Sequence, residues 1–186
     1  MNFSTKTILC FIFISCSFLL ISCSSNTSAA VGSPIFQKYF TPKEDIFSTT
    51  LGVQIKRNND ESLTEGLLFF RSVMDLYNQK KYTNVITEIE NYFQTTNYDD
   101  IFNHQEMKFY LGQAYMATGD FKNSLKTFEQ ISGKRIFKYN NDLGWFKALN
   151  LIELNKAEEA KPYLNTLVSM QTKPHFQKAQ ELLLEL

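Results

Sequence analysis

The feature that most constrains this chain is a pattern that returns three times. In FYLGQAYMATGDFKNSLKTFEQI, residues 109–131, Leu111, Gly112, Ala114 and Tyr115 follow helical spacing, Gly119 and Asp120 interrupt it, and Phe121, Ser124, Leu125 and Phe128 resume it. Farther on, Ala148 and Leu151 take the places of Gly112 and Tyr115, and Ala157, Ala160 and Leu164 take those of Phe121, Ser124 and Phe128. Nearer the N-terminus, Val73, Leu76, Tyr82, Val85 and Ile89 stand at the same offsets, with Lys80-Lys81 where a glycine turn is expected. An aromatic residue lies one turn before each small position: Phe70, Phe109 and Trp145. Apolar residues at three- and four-residue steps make amphipathic helices. Such helices, recurring in pairs, bury their apolar faces only by stacking pair upon pair. The expected fold is therefore all-α, with the small residue at 112 or 148 letting two helices approach and the aromatic at 121 or 82 plugging the gap between them.

These residues resemble the tetratricopeptide repeat (TPR), a helix pair of about 34 residues. The spacing here is longer, and the surplus falls in QTTNYDD and GKRIFKYNN, which read as connecting loops. The likeness covers about two-thirds of the chain and implies a short α-solenoid of about three TPR-like helix pairs over residues 60–186. Ser62 and Glu65 have the spacing of a capping box, so a helix should begin there. Pro162 falls inside the second helix of the last pair, where a kink is expected. The closing PHFQKAQELLLEL reads as an added helix that caps the stack. In the repeat family the first helices form a concave binding face. The resemblance places that face at Phe70, Met74 and Tyr77, at Phe109, Gln113 and Met116, and at Trp145, Leu149 and Ile152. A groove of these residues suits a peptide or helix held by hydrophobic contact; the alternative is that some of them are core.

The N-terminus is of another kind. One cation, Lys6, precedes an apolar run from Ile8 to Ile21, the length of a signal-peptide core and short of the ~20 residues that span a bilayer. It ends in Leu20-Ile21-Ser22-Cys23, which looks like the bacterial lipobox. That likeness implies cleavage after residue 22 and a lipid on Cys23; an ordinary export signal with a chance cysteine, or an uncleaved anchor, are the alternatives. SSNTSAA follows, a composition that cannot bury enough surface to fold, so residues 23–33 read as a flexible tether. Cys10, Cys16 and Cys23 are the only cysteines, so the body has neither a disulfide nor a thiolate metal site.

Function classes narrow accordingly. The 19 basic and 19 acidic residues balance, which gives no electrostatic reason to expect a nucleic-acid partner. Lys134, Arg135 and Lys138 around Phe137 read as a solvated loop. His104 and His175 lack an i,i+4 ligand partner and read as surface residues, while Asp99 and Asp100 suit helix capping. Phosphate-loop, dinucleotide and nucleophile-elbow motifs are missing, so no enzyme, metal or cofactor is expected. The reading is a membrane-anchored interaction scaffold of the bacterial envelope, with a protein or peptide partner. The combination of lipobox and repeats also resembles the lipoprotein subunit of the outer-membrane protein assembly machine, which carries about five repeats; an assembly factor is the alternative. Chain style is similar to Bacteroidetes repeat proteins, and the Ser-Ser after Cys23 implies an outer-membrane lipoprotein facing the periplasm. Residues 34–59 are too aromatic for a linker and too broken by Pro34 and Pro42 for a long helix. Phe36, Tyr39, Phe40 and Phe47 need cover, so this irregular segment is expected to pack on the first helices of the repeats, completing the core permanently; the alternative is that it occupies the groove until a partner displaces it.

Overall fold

A recurring backbone turn organises the molecule. In the computed structural model, which describes residues 31–44, 61–95, 104–131, 139–171 and 174–186, Lys80, Gly119 and Asn155 adopt left-handed conformations with φ of 59°, 85° and 59°. Each donates its N–H to the carbonyl three residues back, and the next residue donates to the carbonyl five back: Lys81 to Leu76, Asp120 to Tyr115, Lys156 to Leu151. This paired bonding satisfies orphan carbonyls of a helix end and reverses the chain within two or three residues. Each turn joins two helices of a pair, α2 (Glu61–Asn78) to α3 (Tyr82–Thr95), α4 (His104–Thr118) to α5 (Phe121–Glu129), and α6 (Asn140–Glu153) to α7 (Ala157–Ser169). A short helix α1 (Pro34–Tyr39) precedes them and α8 (Phe176–Glu185) follows. The described residues are all-α and contain no strand.

Equivalent positions carry the core. Val73, Gly112 and Ala148 on the first helices, and Val85, Ser124 and Ala160 followed by Ile89, Phe128 and Leu164 on the second, are all buried. Each helix packs mainly on its neighbours in sequence, from α2 through to α8, as a stack of hairpins should. At the middle pair the close approach is extreme: a methyl group on Gly112 would run into the ring of Phe128. The plug is thus Phe128 and not the expected Phe121. Phe121 opens α5 beside the turn, where its ring faces Phe36 instead, 4.9 Å away and edge-on. The seam's polar donors are matched: Ser124 Oγ donates to the Gly112 carbonyl at 2.8 Å, and Asn150 Nδ2 donates to Ser124 Oγ at 3.0 Å and to the Phe146 carbonyl at 2.9 Å, while the buried Asn150 Oδ1 has no hydrogen-bond partner.

One helix boundary departs from expectation, the start of α6. The α2 helix spans Glu61–Asn78, and the capping-box side chains at 62 and 65 lie outside the described residues. The α6 helix starts at Asn140, inside the expected loop, because Tyr139 is buried against Phe109 with rings 5.0 Å apart and parallel, fixing the entry of the chain. Helix α7 runs on through Pro162, which is exposed, so the ring points away from the core and the lost hydrogen bond lies early in the helix. At the C-terminus Ala179 and Leu182 of α8 are buried against the stack while Leu184 is 89% exposed, the division expected of a terminal helix with one free face. No helix of the described residues is long and apolar enough to cross a membrane. The leader (1–22), Cys23, the tether to residue 30, Phe47 with the rest of 45–60, Asp99, Asp100, Lys134, Arg135, Phe137 and Lys138 lie outside the described residues, as do the side chains of Ser62, Glu65 and His104.

Candidate functional site

The first helices α4 and α6 lie side by side, and residues 31–44 run along them from their C-terminal ends to their N-terminal ends. The segment enters with Val31 against Gly119. Ser33 follows: its backbone N–H donates to Glu153 Oε2 at 2.9 Å and its hydroxyl to Glu153 Oε1. The same hydroxyl accepts from the Phe36 N–H at 3.2 Å, and Pro34 occupies the first helical position, so a serine cap and a preset φ start α1 where the sequence was expected to be irregular. One turn of helix brings Phe36, Tyr39 and Phe40 to one side. Phe36 stacks on Phe40 at 4.6 Å, Tyr39 meets Trp145 edge-on at 6.0 Å, and Phe40 meets Phe146 at 6.0 Å.

Beyond Tyr39 the chain extends, and its polar groups are received one by one. The Lys43 N–H donates to Gln113 Oε1 at 2.6 Å, and that oxygen also accepts from the Tyr77 hydroxyl at 3.1 Å. The Glu44 carbonyl accepts from the Tyr110 hydroxyl at 3.4 Å. Lys43 Nζ pairs with Asp142 Oδ1 at 3.2 Å, and the same oxygen meets His175 Nε2 at 2.8 Å. His175 is itself stacked on Trp145, with centroids 5.1 Å apart and planes 12° apart. At the other flank, Lys38 Nζ and the Tyr39 hydroxyl both donate to Glu185 Oε1, at 2.5 and 2.7 Å.

The electrostatics follow from this pairing. Burial by itself would raise the pKa of Asp142, but the hydrogen bond from His175 and the charge and hydrogen bond of Lys43 outweigh it and hold the carboxyl below its ordinary value of 3.8. The hydrogen bonds from Lys38 and Tyr39 lower Glu185, and Glu185 in turn raises Lys38. Burial, with the Glu185 hydrogen bond, raises Tyr39 against the opposing effect of Lys38. Asp142 stands in the first turn of α6, where a negative charge also complements the helix dipole.

The expected groove residues are therefore not an open apolar face. Phe70, Met74, Tyr77, Phe109, Gln113, Met116, Trp145 and Leu149 are buried, and only Ile152 is partly exposed. The physical reason is twofold: neighbouring elements bury these side chains against one another, as Phe109 lies against Tyr139 and Phe146, and the N-terminal segment lies on Gln113 and Trp145. Of the nine, Gln113 and Trp145 contact the segment directly, and Tyr77 orients Gln113. His175, expected at the surface, is instead buried at 7% exposure, because its ring lies on Trp145 and its Nε2 has the Asp142 carboxylate.

Asp142, Glu153 and Glu185 escaped the sequence reading. They flank the apolar positions that define the helices, and only the path of residues 31–44 shows that all three serve one segment. Among the described residues no group of His, Cys, Asp and Glu is placed to hold a metal ion. Comparison of the chain with protein-family models, curated proteins and solved structures finds no match.

Proposed function

We propose that this chain is a lipid-anchored, TPR-like scaffold of the bacterial envelope, outer-membrane bound and facing the periplasm, whose helix pairs bind a protein partner. The observation that carries the repeat reading is the identical left-handed turn at Lys80, Gly119 and Asn155, each followed by equivalent buried positions. A stack of this kind presents an extended surface to a partner. The anchor rests on Leu20-Ile21-Ser22-Cys23. Val31 lies eight positions after Cys23, a reach of at most about 29 Å, so a lipid there would hold the edge bearing Gly119 and Glu153 toward the membrane.

The anchor is tested with a clickable palmitate analogue. Wild-type protein is expected to take the label and Cys23→Ala to lose it together with signal cleavage; labelling that survives in the variant removes the lipoprotein reading. Co-purification from membranes with the wild-type protein as bait then identifies the partner, and recovery of outer-membrane assembly proteins would favour an assembly factor over a general scaffold.

A further inference from the structure

We propose that residues 33–44 are a tethered ligand, and that the site beneath them is a binding site for an aromatic, lysine-bearing peptide supplied by a partner, which enters as the segment leaves. The inference deepens the scaffold reading and rests on it for the existence of a protein partner.

The character of the contacts points this way. Three carboxylates placed far apart on the body, at the start of α6 (Asp142), at its end (Glu153) and on α8 (Glu185), each accept donors from the segment: Lys43, Ser33, and Lys38 with Tyr39. When the segment leaves, an acidic rim remains around an aromatic floor, a surface complementary to a cationic, aromatic peptide. Main-chain groups are recognised as well. Gln113 takes the Lys43 N–H and is held ready by Tyr77, and Tyr110 donates to the Glu44 carbonyl. Backbone bonds of this kind, alternating with side-chain pockets, are how extended peptides are bound.

The hold on the segment is also of a ligand's size. Its two fully buried side chains are Phe36 and Tyr39, Phe40 and Lys43 are half-buried, and Lys38 lies in the open. The helix it forms has six residues, well below the length that persists alone in water. None of the positions that lock helix to helix, such as Gly112 with Phe128 within the middle pair or Ser124 with Asn150 between pairs, belongs to it. Release of the segment therefore leaves the seams of the stack intact.

Two measurements on the full-length protein test this. In the wild type, hydrogen exchange should show the amides of Gln37, Phe40 and Lys43 exchanging at least tenfold faster than those in the middle of α4 and α6, since the segment opens without global unfolding. A fluorescent peptide copy of residues 33–44 should bind Phe36→Ala/Tyr39→Ala protein at least tenfold more tightly than wild type, and Glu153→Gln/Glu185→Gln in that background should weaken it at least fivefold. A peptide with both lysines replaced by glutamate should not compete. Exchange of the segment at the rate of the helices overturns the proposal even where the double variant does not fold, as does a folded double variant that ignores the peptide. A dimer by light scattering that excludes the peptide assigns the site to a second copy of this chain and likewise overturns it. None of these readouts depends on lipid at Cys23, so failure here and loss of the envelope reading are separately visible.

Discussion

The first and middle helix pairs are built on one turn yet fill their seams differently. At the first pair the left-handed position is Lys80, and the seam is apolar, with Val73, Val85 and Ile89 buried and Phe69 stacked on Tyr92 at 4.0 Å. At the middle pair the left-handed position is Gly119, and the seam is Gly112, Ser124 and Phe128, with a serine bonded to the backbone it touches. The turn is specified by its two hydrogen bonds, so a lysine can occupy it at a cost. The seam is specified by summed volume: a valine facing an isoleucine position and a glycine facing a phenylalanine position fill comparable space. Substitutions that violate volume should therefore be felt more than those that violate the turn.

The sharpest way to break this contrast is Gly112→Leu. With Phe128 already against the α-carbon, the pair must separate, and a loss of about 3 kcal/mol, the upper part of the range for overpacking, is expected in urea denaturation. The control is Gly144, also inside a first helix but with open space within 4 Å of where a β-carbon would stand: Gly144→Ala should stabilise by about 0.5–1 kcal/mol through helix propensity alone. Equal effects at both glycines would show that the seam is not what holds the pair.

The next effect lies where the segment and the capping helix meet the last pair. Asp142→Asn removes the charge that receives Lys43 and His175, and about 1–3 kcal/mol should be lost at pH 7. The folded-state pKa of Asp142 is depressed, so its contribution is complete above the unfolded value and is lost as pH falls through the folded one. Thermal melts of wild type and variant should accordingly converge below pH 3.8. A difference that persists undiminished into acid would trace the loss to packing and not to the ionised carboxylate.

Smaller effects than at the seam belong to the turn. Lys80→Gly should stabilise and Gly119→Ala destabilise, each by about 1 kcal/mol, since a side chain in the left-handed region strains the backbone and glycine does not. Chemical denaturation of the two single variants checks the pair; changes of the same sign would mean that the two turns are not equivalent.

The sequence by itself determined the helices, their pairing and the small-to-large alternation of the seams, because helical periodicity and chain-reversal chemistry act within a few residues and leave their mark in the order of residue types. It also marked Gly112 and Ala148 as close-approach positions, since few other reasons put such small residues on an apolar face. What it could not determine was which side chains the N-terminal segment would cover. Phe121 and Phe128 are equally plausible plugs on a helical wheel, and His175 reads as polar and exposed until Trp145 and Asp142 are set beside it. Tertiary structure decided these, for a physical reason: Asp142, Glu153 and Glu185 border one surface only when α6 and α8 are stacked, and the chain laid across that surface comes from about a hundred residues away or more, a separation at which no local pattern encodes a contact.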